Sequence, residues 1–304
     1  MPGLLDRERI IATAGFNRWL VPPAALCIHL CIGMAYGFSV FWLPLSRALG
    51  LTDSKSCPDI SIFTELFTTT CDWKIASLGW MYTLFFVFLG ISAAVFGGWV
   101  ERVGPRKAGV AAAVLWCGGL ALGAIGVIGH HLWLLWLGSG VIGGLGLGLG
   151  YISPVSTLVK WFPDRRGMAT GMAIMGFGGG AMIGAPLANI LLNFFKTPTD
   201  VGVWQTFLAM AAIYFFFMMI GAFRYRLPPA GWQPEGWTPP PANEHHDLAA
   251  QCASQGCAQD AAILADLVGA VFERLGRHRR DRRCLADVTG NLRRQADRTS
   301  GARL

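Results

Sequence analysis

The chain has 304 residues, 53% of them hydrophobic and only 14% charged, with a formal net charge of +7 and a mean hydropathy of +0.46. An ordinary soluble domain carries about 25% charged residues, so a single soluble globule is excluded. The charge is also unevenly placed, because 18 of the 43 ionised side chains lie in residues 241–304.

A membrane-spanning helix needs about 20 mostly apolar residues. Six runs reach that length in chain order: Leu20–Ala48, Ile75–Val100, Ala108–Gly129, Leu132–Val159, Gly167–Phe195 and Val203–Phe223. None holds an acid or a lysine, and Arg47, at the very end of the first run, is the only arginine. Buried helices of a soluble protein would require six nearly uncharged segments of this length in succession. The first run is longer than a signal-peptide core and no small-residue cleavage site follows it, so it too reads as a span. The expected fold class is an all-α membrane protein with six transmembrane helices. It occupies residues 1–240, and a poorly structured tail occupies 241–304.

The basic residues flanking these runs set the expected orientation. Arg7, Arg9, Arg18, Arg102, Arg106, Lys107, Lys160, Arg165, Arg166, Arg224 and Arg226 flank one side, against Arg47, Lys55, Lys74 and Lys196 on the other. The positive-inside rule then places both ends of the six-span body in the cytoplasm of a multi-pass cell-membrane protein. On the opposite side, the segment between the first two spans carries Cys57 and Cys71. In an oxidising exterior these could pair, closing a loop of about 15 residues worth roughly 3 kcal/mol; the alternative is two free thiols. Cys27, Cys31 and Cys117 lie within spans and read as packing residues.

Glycines recur at four-residue spacing, as Gly140, Gly144 and Gly148 and again as Gly176, Gly180 and Gly184. In lipid such rows let helix backbones approach closely. A nucleotide-binding loop does not fit, since the G-x-G-x-x-G spacing is missing and no strand precedes it. Pro154 and Pro186 mark expected bends or breaks.

The link after the second span reads Gly97-Gly98-Trp99-Val100-Glu101-Arg102-Val103-Gly104-Pro105-Arg106-Lys107. Glu101 at a helix end can pair with a cation on a neighbouring helix, Gly104 permits a tight turn, and Arg106 and Lys107 suit an anionic membrane surface. This pattern resembles the signature loop of the major facilitator superfamily. The resemblance implies the N-terminal half of that fold and a gating role for Gly97, Glu101, Arg102, Gly104, Arg106 and Lys107.

A finer resemblance is to the oxalate/formate antiporter branch. It is carried by Tyr36-Gly-Phe-Ser-Val-Phe-Trp-Leu-Pro-Leu-Ser, by Gly-Leu-Gly-Tyr151, by Lys160-Trp-Phe-Pro-Asp-Arg-Arg-Gly-Met-Ala-Thr-Gly171, and by Gly176-Phe-Gly-Gly-Gly with Ala185-Pro-Leu-Ala. It implies an antiporter of small organic anions, with Tyr36, Trp80 and Tyr151 lining the substrate cavity and with cationic residues supplied by a second half. Phe177 stands where a tyrosine occurs in such relatives, removing one donor. His29 shares a helical face with Gly33 and Tyr36. The arginine that proton-coupled relatives carry in span four is replaced by the neighbourhood of Gly138, Ser139 and Gly140, which favours exchange over proton symport.

After Trp237-Thr-Pro-Pro-Pro241 the character changes: lysine vanishes, ten arginines appear, and Phe272 is the only aromatic residue. A shifted reading frame would explain this. Asp260-Ala-Ala-Ile-Leu-Ala265, suitably encoded and read one base later, gives Thr-Pro-Gln-Phe-Trp, and the same shift through Arg283 permits an apolar run suited to a seventh span. A short amphipathic helix near 260–276 is the alternative for the tail. The spacing of Cys252, Cys257, Cys284, His245 and His246 fits no standard zinc site. No triad, metal cluster or phosphate loop points to an enzyme, and no cofactor or nucleic acid is expected. The expected partners are the lipid bilayer and a small carboxylate substrate. A membrane fragment or assembly partner without transport activity is the other class of function.

Overall fold

The computed structural model describes residues 4–13, 15–49, 57 and 60–238. The chain divides between Trp237 and Thr238. The expected tail, its short helix and the shifted reading frame therefore fall outside the described residues.

Six long apolar helices make up the described unit: α1 (Arg18–Leu45), α2 (Ile75–Val103), α3 (Pro105–Ile128), α4 (Leu132–Trp161), α5 (Pro163–Phe195) and α6 (Val203–Arg224). No strand forms among the described residues, only isolated bridges. The connection from α2 to α3 is a single residue, Gly104, at φ +89°, a conformation that L side chains rarely adopt. Pro105 follows at the first helical position, where its missing N–H costs nothing.

Helices α1 and α4 form the centre, with 67% and 61% of their apolar windows buried, against 17% for α2 and 28% for α5. In this arrangement α4 packs on α2 and α3, while α1 packs on α5 and α6. The two glycine rows serve those contacts. A Cβ added at Gly148 would sit 2.6 Å from the Leu89 carbonyl of α2, and one at Gly180 would sit 2.5 Å from the Leu30 carbonyl of α1. Dispersion between touching backbones takes the place of the hydrophobic drive that lipid does not supply. Beside Gly148, Ser92 donates a 2.8 Å hydrogen bond to the Leu145 carbonyl and ties α2 to α4.

Neither Pro154 nor Pro186 breaks its helix, because α-helix runs through both. The irregular backbone lies elsewhere. Gly33–Phe41 of α1 is a nine-residue 3-10 stretch, and Trp136–Ile142 of α4 is wound as π-helix. In both, glycine lets a neighbouring backbone press in: α5 against Gly33 and α3 against Gly138. Tight interhelical contact thus accompanies the altered winding in both places.

At the end opposite the basic loops, Cys57 and Cys71 form a disulfide with Cα atoms 5.0 Å apart. At the basic end, the 3-10 turn Arg7–Ile10 precedes a short parallel bridge between Ile11 and Leu227, made by Ala12 N–H to Leu227 O at 2.9 Å and Leu227 N–H to Ile10 O at 2.7 Å.

Candidate functional site

Halfway along α1 the 3-10 winding stacks residues three apart, bringing Gly33, Tyr36 and Ser39 into one column. The Tyr36 ring then meets Phe177 of α5 edge-on at 4.9 Å, and Tyr151 of α4 meets the same ring at 5.3 Å. Phe177 is thus the hub between Tyr36 and Tyr151. His29 lies 5.7 Å from the Tyr151 ring, and one ring nitrogen is 3.2 Å from the Tyr151 carbonyl. Tyr36 remains about half exposed, while His29 is fully enclosed.

The structure brings together Tyr36, Tyr151, His29 and Phe177, but not Trp80. The ring network at Tyr36 continues to Phe86 at 5.6 Å and Tyr82 beyond it at 4.9 Å. Trp80 is on another face of α2, more than half exposed. Sequence reasoning missed Tyr82 and Phe86, although their four-residue spacing on an apolar helix was the available signal. Span four has no room for an arginine at the expected place: a Cβ on Gly138 would be 2.8 Å from the Gly123 nitrogen, and Ser139 is fully buried.

The second constellation gathers at the basic end. Glu101, closing α2, binds Lys160 and Ser156 of α4. Arg18 grips Asp164 through two hydrogen bonds of 2.7 and 3.0 Å, donates to the Trp161 carbonyl at 3.3 Å, and lies over the Phe162 ring. This fork geometry is the strong form of an ion pair. Arg106 is 5% exposed and donates to the carbonyls of Leu4 (2.9 Å), Phe223 (3.0 Å) and Tyr225 (3.4 Å). Lys107 pairs with Asp6 at 2.7 Å. A Cβ on Gly104 would strike Ile10 at 2.9 Å, so the tight turn is also the seat of the N-terminal segment. Arg102 is exposed and bonds only its own helix at Gly98, and Gly97 faces open space. These polar pairs link α1 to α5, α2 to α4, and α3 to the N-terminal segment.

The opposite end is built differently. Glu65 accepts from the Lys74 N–H and the Ser77 hydroxyl, Asp72 from the Leu49 N–H, and Asp200 from Gly202, Trp204 and Gln205. His130 stacks on Trp73 at 4.2 Å and bonds the Cys71 carbonyl. Burial pushes the His130 imidazole below its ordinary value of 6.5. A cleft of about 510 Å³ between α1 and α5 at this end is lined by Arg47, Asn189, Asn193 and Lys196. Neither of its cations has a carboxylate partner among the described residues. No group of three metal-ligating side chains occurs among the described residues. Cys252, Cys257, Cys284, His245 and His246 lie outside them.

Residues 24–272 match the Major Facilitator Superfamily, so the match continues past residue 240. The chain is 31% identical over 210 residues to the uncharacterized MFS-type transporter YhjX of Escherichia coli (strain K12), covering 68% of this chain and 44% of that one. It is 26% identical over 202 residues to apicoplast pyruvate carrier 1 of Toxoplasma gondii (60% and 37% covered). It is 24% identical over 214 residues to the oxalate:formate antiporter of Oxalobacter formigenes (70% and 43%). The chain spans less than half the length of these curated relatives.

Proposed function

The chain belongs to the major facilitator superfamily, and from that premise we propose that it forms the N-terminal six-span half of a secondary transporter of small organic anions, of the oxalate/formate or monocarboxylate type, working by exchange. The observation that carries this reading is the aromatic cluster Tyr36–Phe177–Tyr151 at the junction of α1, α4 and α5. Phenol hydroxyls there can donate to a carboxylate that would otherwise be badly desolvated. Trp80 belongs to the proposed cavity only if the half-exposed side of α2 turns toward it, and Tyr82 and Phe86 are the better-placed rings. None of the rings in this cluster sits on a lysine or arginine among the described residues, so the charge that neutralises the substrate belongs, in this reading, to the other half.

Glu101, Arg102, Gly104, Arg106 and Lys107, with Gly97 before them, are proposed to act on the gate and not on the substrate. The basic end is the cytoplasmic one, in keeping with the eleven cations at that end. The disulfide at the opposite end fits an oxidising exterior. Arg47 and Lys196 would give an arriving anion favourable charge on that side.

Uptake of labelled oxalate and formate into proteoliposomes tests the assignment. A version restored to the alternative reading frame is expected to exchange these anions, and the 304-residue chain alone is not. Uptake by the short chain would refute its reading as half a transporter, and absence of uptake by both would refute the substrate class. A second reading, a membrane protein with no transport of its own that serves as an assembly partner, draws on the less-than-half coverage of the relatives. Failure of a separately made C-terminal half to confer uptake on the short chain, while the frame-restored version transports, would favour it.

A further inference from the structure

The bundle holds a groove apart from the aromatic cluster. Between α1, α5 and α6 lies a cavity of about 410 Å³, lined by side chains such as Leu26, Leu30, Ile183, Leu187, Ile213 and Phe217. Toward the basic end a second cavity of about 320 Å³ adjoins it, sharing Pro23 and Cys27 and lined further on by Phe16, Leu20, Arg224 and Arg226. The α1 wall is made partly of small side chains, Ala24, Cys27 and Cys31, which leaves the space unfilled. Its α6 rim continues in exposed Phe216, Ile220 and Phe223.

The pair of cavities therefore has an apolar trough running along the membrane normal and a doubly cationic mouth at the level of the headgroups. The two guanidiniums are uncommitted in a way their neighbours are not. Arg18, Lys107 and Lys160 each hold a carboxylate, whereas Arg224 and Arg226 have none among the described residues. Among the described residues Arg226 donates only to the adjacent Tyr225 carbonyl. A trough in a bilayer fills with a hydrocarbon chain, and two free guanidiniums at its mouth select which headgroup that chain carries, since Arg binds phosphate oxygens in a fork. Basic pockets between membrane helices are a recurrent setting for anionic headgroups.

We infer that this groove is a specific site for one anionic glycerophospholipid of the leaflet at the basic end, its phosphate held by Arg224 and Arg226 and one acyl chain lying against Leu30, Leu187 and Phe217. The inference needs only that the six helices span a bilayer, so it stands or falls apart from the transport reading. Charge complementarity excludes a zwitterionic lipid as the preferred occupant.

Native mass spectrometry of the full chain, released from vesicles of phosphatidylcholine with or without phosphatidylglycerol, tests it. The expected result is one retained phosphatidylglycerol per chain and no comparably retained phosphatidylcholine. R224Q/R226Q is expected to lose that retention, while R166Q, an exposed arginine at the same end outside the groove, keeps it. Leu187→Trp, which fills the trough and leaves both guanidiniums intact, is expected to expel the lipid as well. This second variant decides the matter if the double one does not fold. Equal retention of the two lipids by the unsubstituted chain, or undiminished phosphatidylglycerol on either groove variant, overturns the proposal.

Discussion

The two ends of the bundle are held by different chemistry. The basic end is tied by side-chain ion pairs between helices, Arg18 with Asp164 and Lys160 with Glu101, and by Arg106 beneath three carbonyls. The opposite end is tied by a covalent bond and by carboxylates that accept from backbone N–H groups beside them. Ion pairs exchange partners at little net cost, whereas a disulfide and a capped loop do not. One end is therefore held by exchangeable ties and the other by fixed ones.

The largest expected effect comes from the rigid end. C57S/C71S is expected to lower stability by about 3 kcal/mol in a detergent unfolding titration, with no loss on adding reductant to the variant. Next, Arg106→Ala at the exchangeable end removes a buried fork from three carbonyls and should cost about 2 kcal/mol, with Arg106→Lys intermediate. A cost for Arg106→Ala well above that of the disulfide would erase the contrast between the ends.

Smaller still is a pH effect confined to the rigid end. Burial disfavours the His130 imidazolium, against the opposing pull of Asp72 and the Cys71 carbonyl and with the help of His131. A histidine whose folded value is depressed contributes stability that is complete above 6.5 and is lost as pH falls from 6.5 toward the folded value. Melting temperature in detergent should therefore drop on acidification below pH 6.5, and His130→Asn should flatten that slope; an unchanged slope would assign the effect to other groups. The smallest effects belong to the ion pairs of the basic end. Double-mutant cycles on Lys160 with Glu101 and on Arg18 with Asp164 are expected to give about 1 kcal/mol or less, falling with added salt. A coupling several times larger and insensitive to salt would show that the basic end is no more yielding than the other.

The spans were legible because lipid leaves a plain signature: six uncharged runs whose ends agree with the helices to within a few residues, as for Ile75–Val100 against Ile75–Val103. The glycine rows were legible for the same reason, since close backbone approach demands small residues at fixed spacing. The 3-10 and π stretches were not, because apolar residues on every face erase the periodicity that would distinguish one winding from another. The aromatic cluster was only half legible. Tyr36 and Tyr151 each touch Phe177, and the side of α2 that joins Tyr36 carries Phe86 and Tyr82. The Arg18–Asp164 pair joins residues 146 positions apart, and no local pattern announces it.

The short bridge between Ile11 and Leu227 orders events during synthesis. Its two partners lie on either side of all six helices in sequence, so it cannot close until the sixth has been made. The start of α3 offers the N-terminal segment a seat earlier, through Gly104 beneath Ile10 and Lys107 beside Asp6. A nascent chain stopped before Leu227 is therefore expected to hold Asp6–Ile10 against α3 and to leave Ile11–Thr13 without the strand partner, open to a protease added from that side.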